Sequence, residues 1–325
     1  MTGDERARSV LDRFVHDELV AHPVLATALG AEGEHGALDD LSSESVLARE
    51  QACQRWAEEM AGIDQARLSE PLRIDVALVQ SGLRRKVIHA EWQSWRRDPL
   101  GYLSTVLQGV HGLILHSVFP ERELVSYATS RLNQVESVLA AARRNLDPDL
   151  VSPVIAGRAL DQCKAAIGYF REVVPAQVDE AYRPAIAEAA ERAAAASEGL
   201  VAFLEELMPR ARGDYALGEA WYSKLLLEAE LLGFGTRELH ARGEAAWAEL
   251  DEEMNELARR IDSSAGSWKP VVERLSDDRP ATREAMLEAY RIETEKARRY
   301  LKERGLVSFA DGEKCVVEPS APFER

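Results

Sequence analysis

Between Glu180 and Met208 the residues Ile186, Ala189, Ala193, Ala196, Leu200, Phe203 and Leu207 recur close to a heptad, with alanine at several inward positions. Residues three and four apart share one face of an α-helix, so the run predicts a long helix with a continuous seam. Alanine adds little bulk to that seam, and neighbouring helices can approach closely. A chain with such a stripe must bury it against other helices.

The rest of the sequence repeats the pattern. Leu124, Ala128, Leu132, Val135 and Leu139 step by four, four, three and four after Pro120. Tyr102, Val106, Val110 and Leu113 form the inward face of a helix that starts at Asp98-Pro99, where proline suits the first turn, and runs to about His116. Earlier helices are predicted over Glu5–Val20, stopped by His22-Pro23, over Ser43–Ala61 and over Ser69–Trp95. The last carries Val76, Val79, Leu83, Val87 and Ala90 on one face and Ile74, Leu78, Ile88, Trp92 and Trp95 on another, so burial on more than one side is expected. Pro153 and Pro175 interrupt the helical stretch from Leu150 to Val178.

Gly213 to Ile261 contains the densest aromatic cluster, Tyr215, Trp221 and Tyr222, on or beside a short helix opened by Leu217-Gly218. Gly233 and Gly235 supply the permissive backbone that ends it, and Thr236 caps the next helix. There Leu239, Ala246, Leu250, Met254, Leu257 and Ile261 make the longest regular stripe in the chain, and Pro280 begins a final helix. Val316-Val317 after Asp311-Gly312 reads as a short strand. The expected fold is all-α: a large lobe of roughly ten helices over residues 1–304, then a strand and tail over 305–325. No fixed-period repeat is present.

Composition narrows the function classes. A formal net charge of -16 over 325 residues argues against a nucleic-acid partner, which requires a basic surface. No apolar run reaches the ~18 residues of a membrane span, and the charged amino terminus lacks a signal-peptide core. The three cysteines, Cys53, Cys163 and Cys315, are far apart, form no Cys-x-x-Cys and suggest no disulfide framework. A cytoplasmic location is the simplest expectation.

No complete catalytic motif is present. His111 and His116, five apart, diverge by roughly 140° on a helix and read as packing residues. His240 and Glu244 have metal-pair spacing, but such a pair on an exposed helix is ordinarily solvated. There is no His-Glu-x-x-His and no Gly-x-Ser-x-Gly. Arginine pairs such as Arg143-Arg144 fall at helix carboxy ends, where cations complement the dipole. Arg131 differs, lying inside a core-patterned helix beside Leu132, and is a candidate to face a cleft. The aromatic cluster reads first as core packing and second as a cleft wall.

Several segments together resemble a known family. They are Pro23-Val24-Leu25-Ala26-Thr27-Ala28-Leu29-Gly30, Arg73-Ile74-Asp75, Asp98-Pro99-Leu100-Gly101-Tyr102-Leu103, Arg131-Leu132 with Ala142-Arg143-Arg144-Asn145-Leu146, Leu217-Gly218 to Leu226, Thr236-Arg237-Glu238-Leu239, and Val316-Val317 leading to Pro322-Phe323. In order and spacing the chain resembles the amino-terminal half of the bacterial domain of unknown function family 885, whose longer members resemble zinc metallopeptidases. The resemblance implies a covering lobe without catalytic residues, one wall of a peptide-substrate channel. It also implies a catalytic carboxy-terminal half as partner, in cis or in trans, that alone carries the zinc. The tail would then be a linker toward that half. Tyr222, Tyr215 and Arg131 are the candidate wall residues, and no cofactor is expected in this chain. The rival expectation is a free-standing helical protein-interaction module.

Overall fold

The computed structural model of the chain describes residues 2–115, 118–321 and 323. The helices, in order, are α1 (Gly3–Ala21), α2 (Pro23–Ala28), α3 (Ser43–Ala61), α4 (Glu70–Glu91), α5 (Pro99–Leu115), α6 (Glu121–Asn145), α7 (Pro153–Gly168), α8 (Val174–Ala176), α9 (Arg183–Leu207), α10 (Glu219–Lys224), α11 (Thr236–Ile261), α12 (Trp268–Ser276) and α13 (Arg283–Glu303). Two wide π turns, Tyr169–Val173 and Leu225–Ala229, extend α7 and α10. The first carries the chain to Pro175, where a straight α-helix would lose a backbone hydrogen bond.

Among the described residues there is no strand, so the β segment expected at Val316-Val317 does not form. A β-branched pair has only a contextual preference for extended structure, and among the described residues no segment forms a ladder with it. Val316 is 73% exposed in an irregular tail.

Contacts group the chain into two units, one reaching to Thr236 and including Phe323, the other covering Arg237–Ala321. The expected boundary between a helical lobe over 1–304 and a tail over 305–325 falls within the second of these units.

In the first unit α9 is the central strut, packed against α6 and α7, while α5 lies on α6 and α7. Ile186, Ala189, Ala190, Ala193, Ala194, Leu200, Leu204 and Leu207 are all buried on α9, and the predicted Leu124 to Leu139 face of α6 is buried with them. Within this interior Cys163 donates to the Ser197 carbonyl at 3.3 Å, and burial pushes its thiol up to about 12. It is an inert packing residue.

A second cluster joins α1, α3 and α4 through Ala7, Leu11, Cys53, Met60, Leu72, Val76 and Leu83. Only one face of α4 enters it. Ile74 and Leu78, expected inside, are exposed.

His111 is buried on α5, with Nδ1 3.2 Å from the Tyr169 hydroxyl, and Phe323 packs edge-on against both rings. It is the packing histidine its pattern suggested; His116 and Pro322 lie outside the described residues.

Candidate functional site

The three expected wall residues do not converge. Arg131 sits on α6 at 1% exposure. Its guanidinium donates to the Gly109 carbonyl on α5, to Thr27 Oγ1 at 2.6 Å and to the Pro23 carbonyl at 3.4 Å. Burial lowers its pKa to about 10, opposed by the charge of Asp39, so it stays protonated at neutral pH. It is a strut tying α6 to α5 and α2. The expectation that it faces a cleft fails because Nη1 and Nη2 turn inward to oxygens of α5 and α2, which an apolar side chain in its place would leave without these bonds; Nε, also buried, has no hydrogen-bond partner among the described residues. Gly109 permits the arrangement, since a Cβ there would come within 2.5 Å of Leu38 Cδ2.

Tyr215 and Tyr222 are on the surface, 65% and 41% exposed, and neither is core. Tyr215 lies in the loop before α10, at the centre of a turn in which Asp214 accepts from the Ala216 N–H at 2.9 Å. Tyr222 rides on α10, which is clamped to α4. Lys224 bridges to Glu91 at 2.8 Å and lies 5.4 Å from the Trp221 ring centroid, and the Glu91 hydrogen bond raises the lysine's pKa. Arg85 pairs with Glu230 at 2.8 Å, and the Ser81 hydroxyl donates to the Ala229 carbonyl. Ser223 then accepts from the Thr236 N–H at 3.2 Å, which sets the start of α11. Tyr222 therefore stands on a braced helix, and Tyr215 on a local turn of the preceding loop.

The second unit is organised differently. Along α11, Leu239, Ala246, Leu250, Met254, Leu257 and Ile261 fall on one face as predicted, joined there by Trp247. That face is open: Trp247 and Leu250 are 65% and 55% exposed, and Ala258 is the buried residue on the helix. Among the described residues of this unit the buried hydrophobics are Ala258, Val271 and Ala321. Polar links fix the local geometry instead. The Trp268 indole donates to Asp251 Oδ1 at 2.8 Å, its backbone N–H to Asn255 Oδ1 at 3.0 Å, and Arg274 meets Asp262 at 2.6 Å. A contiguous open apolar face is a feature shared by protein-docking, membrane-contact and ligand-groove surfaces. Sequence reasoning found the stripe; periodicity alone does not reveal whether a neighbour covers it.

His240 and Glu244 form an exposed pair at 3.4 Å. Among the described residues no group of three or more His, Cys, Asp and Glu side chains is arranged to hold a metal ion, and no helix is long and apolar enough to cross a membrane.

Comparison with known proteins gives a family and a fold. The model of a bacterial protein family of unknown function, DUF885, matches residues 23–325. A solved protein from Shewanella oneidensis, described as a "putative lipoprotein of unknown function", is similar in fold, with a TM-score of 0.67 and 15% sequence identity. The match covers 94% of this chain and 59% of that one, so the chain spans about three-fifths of that protein's length. No curated protein sequence matches the chain.

Proposed function

The chain belongs to the DUF885 family of bacterial proteins, and from that membership we propose that it is a non-catalytic helical lobe that docks against a second, catalytic half. In this reading the lobe supplies one wall of a peptide-substrate channel, and zinc and its general base reside in the partner half. The observation that carries the proposal is the open face of α11. Burying one large apolar side chain contributes about 1.5–3 kcal/mol, and Trp247, Leu250, Leu257 and Ile261 are all left exposed. A solved structure of the same fold, of which this chain spans 59%, supports a body large enough to cover them. Tyr222 and Tyr215 are the wall residues, the first on braced α10 and the second in the turn before it; Arg131 acts behind the wall, holding α2, α5 and α6 in register.

The test mixes the purified chain with the carboxy-terminal half of a longer family member, then measures complex formation by sedimentation, bound zinc and peptide hydrolysis. The expected outcome is a one-to-one complex with zinc and turnover that neither part shows alone. Leu250→Asp abolishes association while the far-ultraviolet helical signal is retained. Tyr222→Phe preserves association and lowers turnover. Stoichiometric zinc with turnover in the chain alone would overturn the proposal. Failure of any half to associate would favour the rival, a free-standing interaction module using the same α11 face.

A further inference from the structure

The first unit holds a cavity of about 360 Å³ between α1, α3 and α4, walled in part by Trp56 and Trp95. This lies near the lower end of the roughly 300–1,000 Å³ of small-molecule sites. Most charges that line it are already engaged. Lys86 pairs with Glu18, Arg85 with Glu230 at 2.8 Å and His22 with Asp39 at 3.0 Å. Burial, aided by Arg85, holds His89 below the usual histidine range, and Asp17 is open to solvent.

Two half-buried charges have no opposite charge at ion-pair distance among the described residues, Arg49 and Glu50, and the Glu50 carboxylate accepts a hydrogen bond from the Trp95 side chain. Arg49 donates to the Asp40 carbonyl at 2.7 Å, and among the described residues no carboxylate lies at ion-pair distance from it. As successive residues of α3 the two point about 100° apart and form no ion pair, so each gives the other only partial Coulombic support. Burial lowers the pKa of Arg49, with Asp39, Asp40, Glu18 and Glu50 restoring only part, and it raises that of Glu50, opposed in part by the Trp95 hydrogen bond and the charge of Arg49. Each charged group is short of solvation and gains from an opposite charge brought to it.

We propose that this cavity binds a small zwitterion with an apolar body, of the class of an aromatic or branched aliphatic α-amino acid. Its carboxylate meets Arg49, its ammonium meets Glu50 and its side chain lies against Trp56 and Trp95. A simple apolar acid would leave Glu50 with its Trp95 hydrogen bond and no opposite charge, and a polyphosphate would face Glu50 and Glu18. The site belongs to the first unit alone and stands whether or not a second half docks on α11.

Calorimetric titration of the whole chain with L-phenylalanine, phenylpropionate and phenethylamine tests it. Phenylalanine is expected to bind with Kd of about 1 mM or tighter, and each single-charge analogue at least about tenfold more weakly. Glu50→Gln should bring phenylalanine and phenylpropionate to equal affinity, and Arg49→Met should do so for phenylalanine and phenethylamine. Circular dichroism checks that both variants fold; if Arg49→Met does not, Glu50→Gln decides. Absence of heat with phenylalanine, leucine and tryptophan up to ~10 mM overturns the proposal. So does an analogue that binds as tightly as phenylalanine, or a Glu50→Gln protein that still discriminates phenylalanine from phenylpropionate.

Discussion

The helices α9 and α11 are of nearly equal length, 25 and 26 residues, and both carry an apolar stripe at helical spacing, yet they meet opposite fates. On α9 the stripe is rich in alanine and, apart from half-buried Phe203, enclosed in the interior against α6 and α7. On α11 it is built from Trp247, Leu250, Met254, Leu257 and Ile261, and most of it is open. The choice of residue explains the difference in role. Small side chains let helix axes come close and fill space densely, which suits permanent contacts within one chain. Large ones bring much apolar area per residue, which suits a face that gains its energy when a partner arrives.

Matched leucines give the strongest way to break that comparison. Leu132 on α6 is fully enclosed, and Leu132→Ala should cost about 2–5 kcal/mol, through lost transfer energy and the cavity left behind. Leu250→Ala on α11 should change the stability of the chain alone by less than ~0.5 kcal/mol, as exposed substitutions do. Urea unfolding of the two variants measures both. A loss at Leu250 close to that at Leu132 would mean that α11 is already covered in solution, and sedimentation would then reveal an oligomer.

Two glycines sharpen the same contrast at smaller scale. A Cβ on Gly213 would stand 1.9 Å from the Leu150 carbonyl oxygen, where backbone cannot yield, and its N–H bonds to the Val151 carbonyl at 2.9 Å. Gly213→Ala should cost about 1–3 kcal/mol. Gly243 on α11 has nothing within 4 Å of its would-be Cβ, so Gly243→Ala should stabilise by about 0.5–1 kcal/mol through helix propensity. Thermal midpoints moving in opposite directions are the expected readout; a destabilised Gly243→Ala would show a close neighbour on that face.

What the sequence made legible follows the same division. Helix boundaries set by proline and caps were readable: α3 runs over the expected Ser43–Ala61, and Pro99 opens α5. Faces were readable wherever the stripe was continuous, although on α9 Leu204 is enclosed where Phe203 was expected inside. Partners were not. Ile74 and Leu78 on α4 have the same spacing as enclosed residues and are exposed, because period specifies a direction around one helix and nothing about what lies there. The short strand failed for the same reason, since pairing is a property of two segments. Arg131 was visible as an anomaly on a core helix; that its donors turn toward Gly109 and Thr27 depends on α2 and α5, distant in sequence. Arg49 and Glu50 gave no signal at all, being an ordinary charged pair on an amphipathic helix until α1 and α4 close around them.

The smallest effect concerns what holds the second unit together in place of a core. Asp262, just after α11, accepts from the Ser264 hydroxyl at 2.6 Å and backbone N–H at 3.0 Å, and pairs with Arg274 of α12 at 2.6 Å. The Ser264 hydroxyl bond, then Arg274, holds its carboxyl down to about 2, against an ordinary 3.8. Because the folded value lies below the ordinary one, the stabilisation is fully present above about pH 4 and fades as pH falls through about 2. The effect is modest because the pair is open to solvent and salt. Hydrogen exchange should show the amides of α12 losing protection across that window while those of α9 hold, and Asp262→Asn should remove the acid step from α12. If α12 and α9 lose protection together, or a carboxyl titration places Asp262 near 3.8, the second unit is not held by these polar links. Its cohesion would then have to come from the apolar residues that α11 leaves in the open.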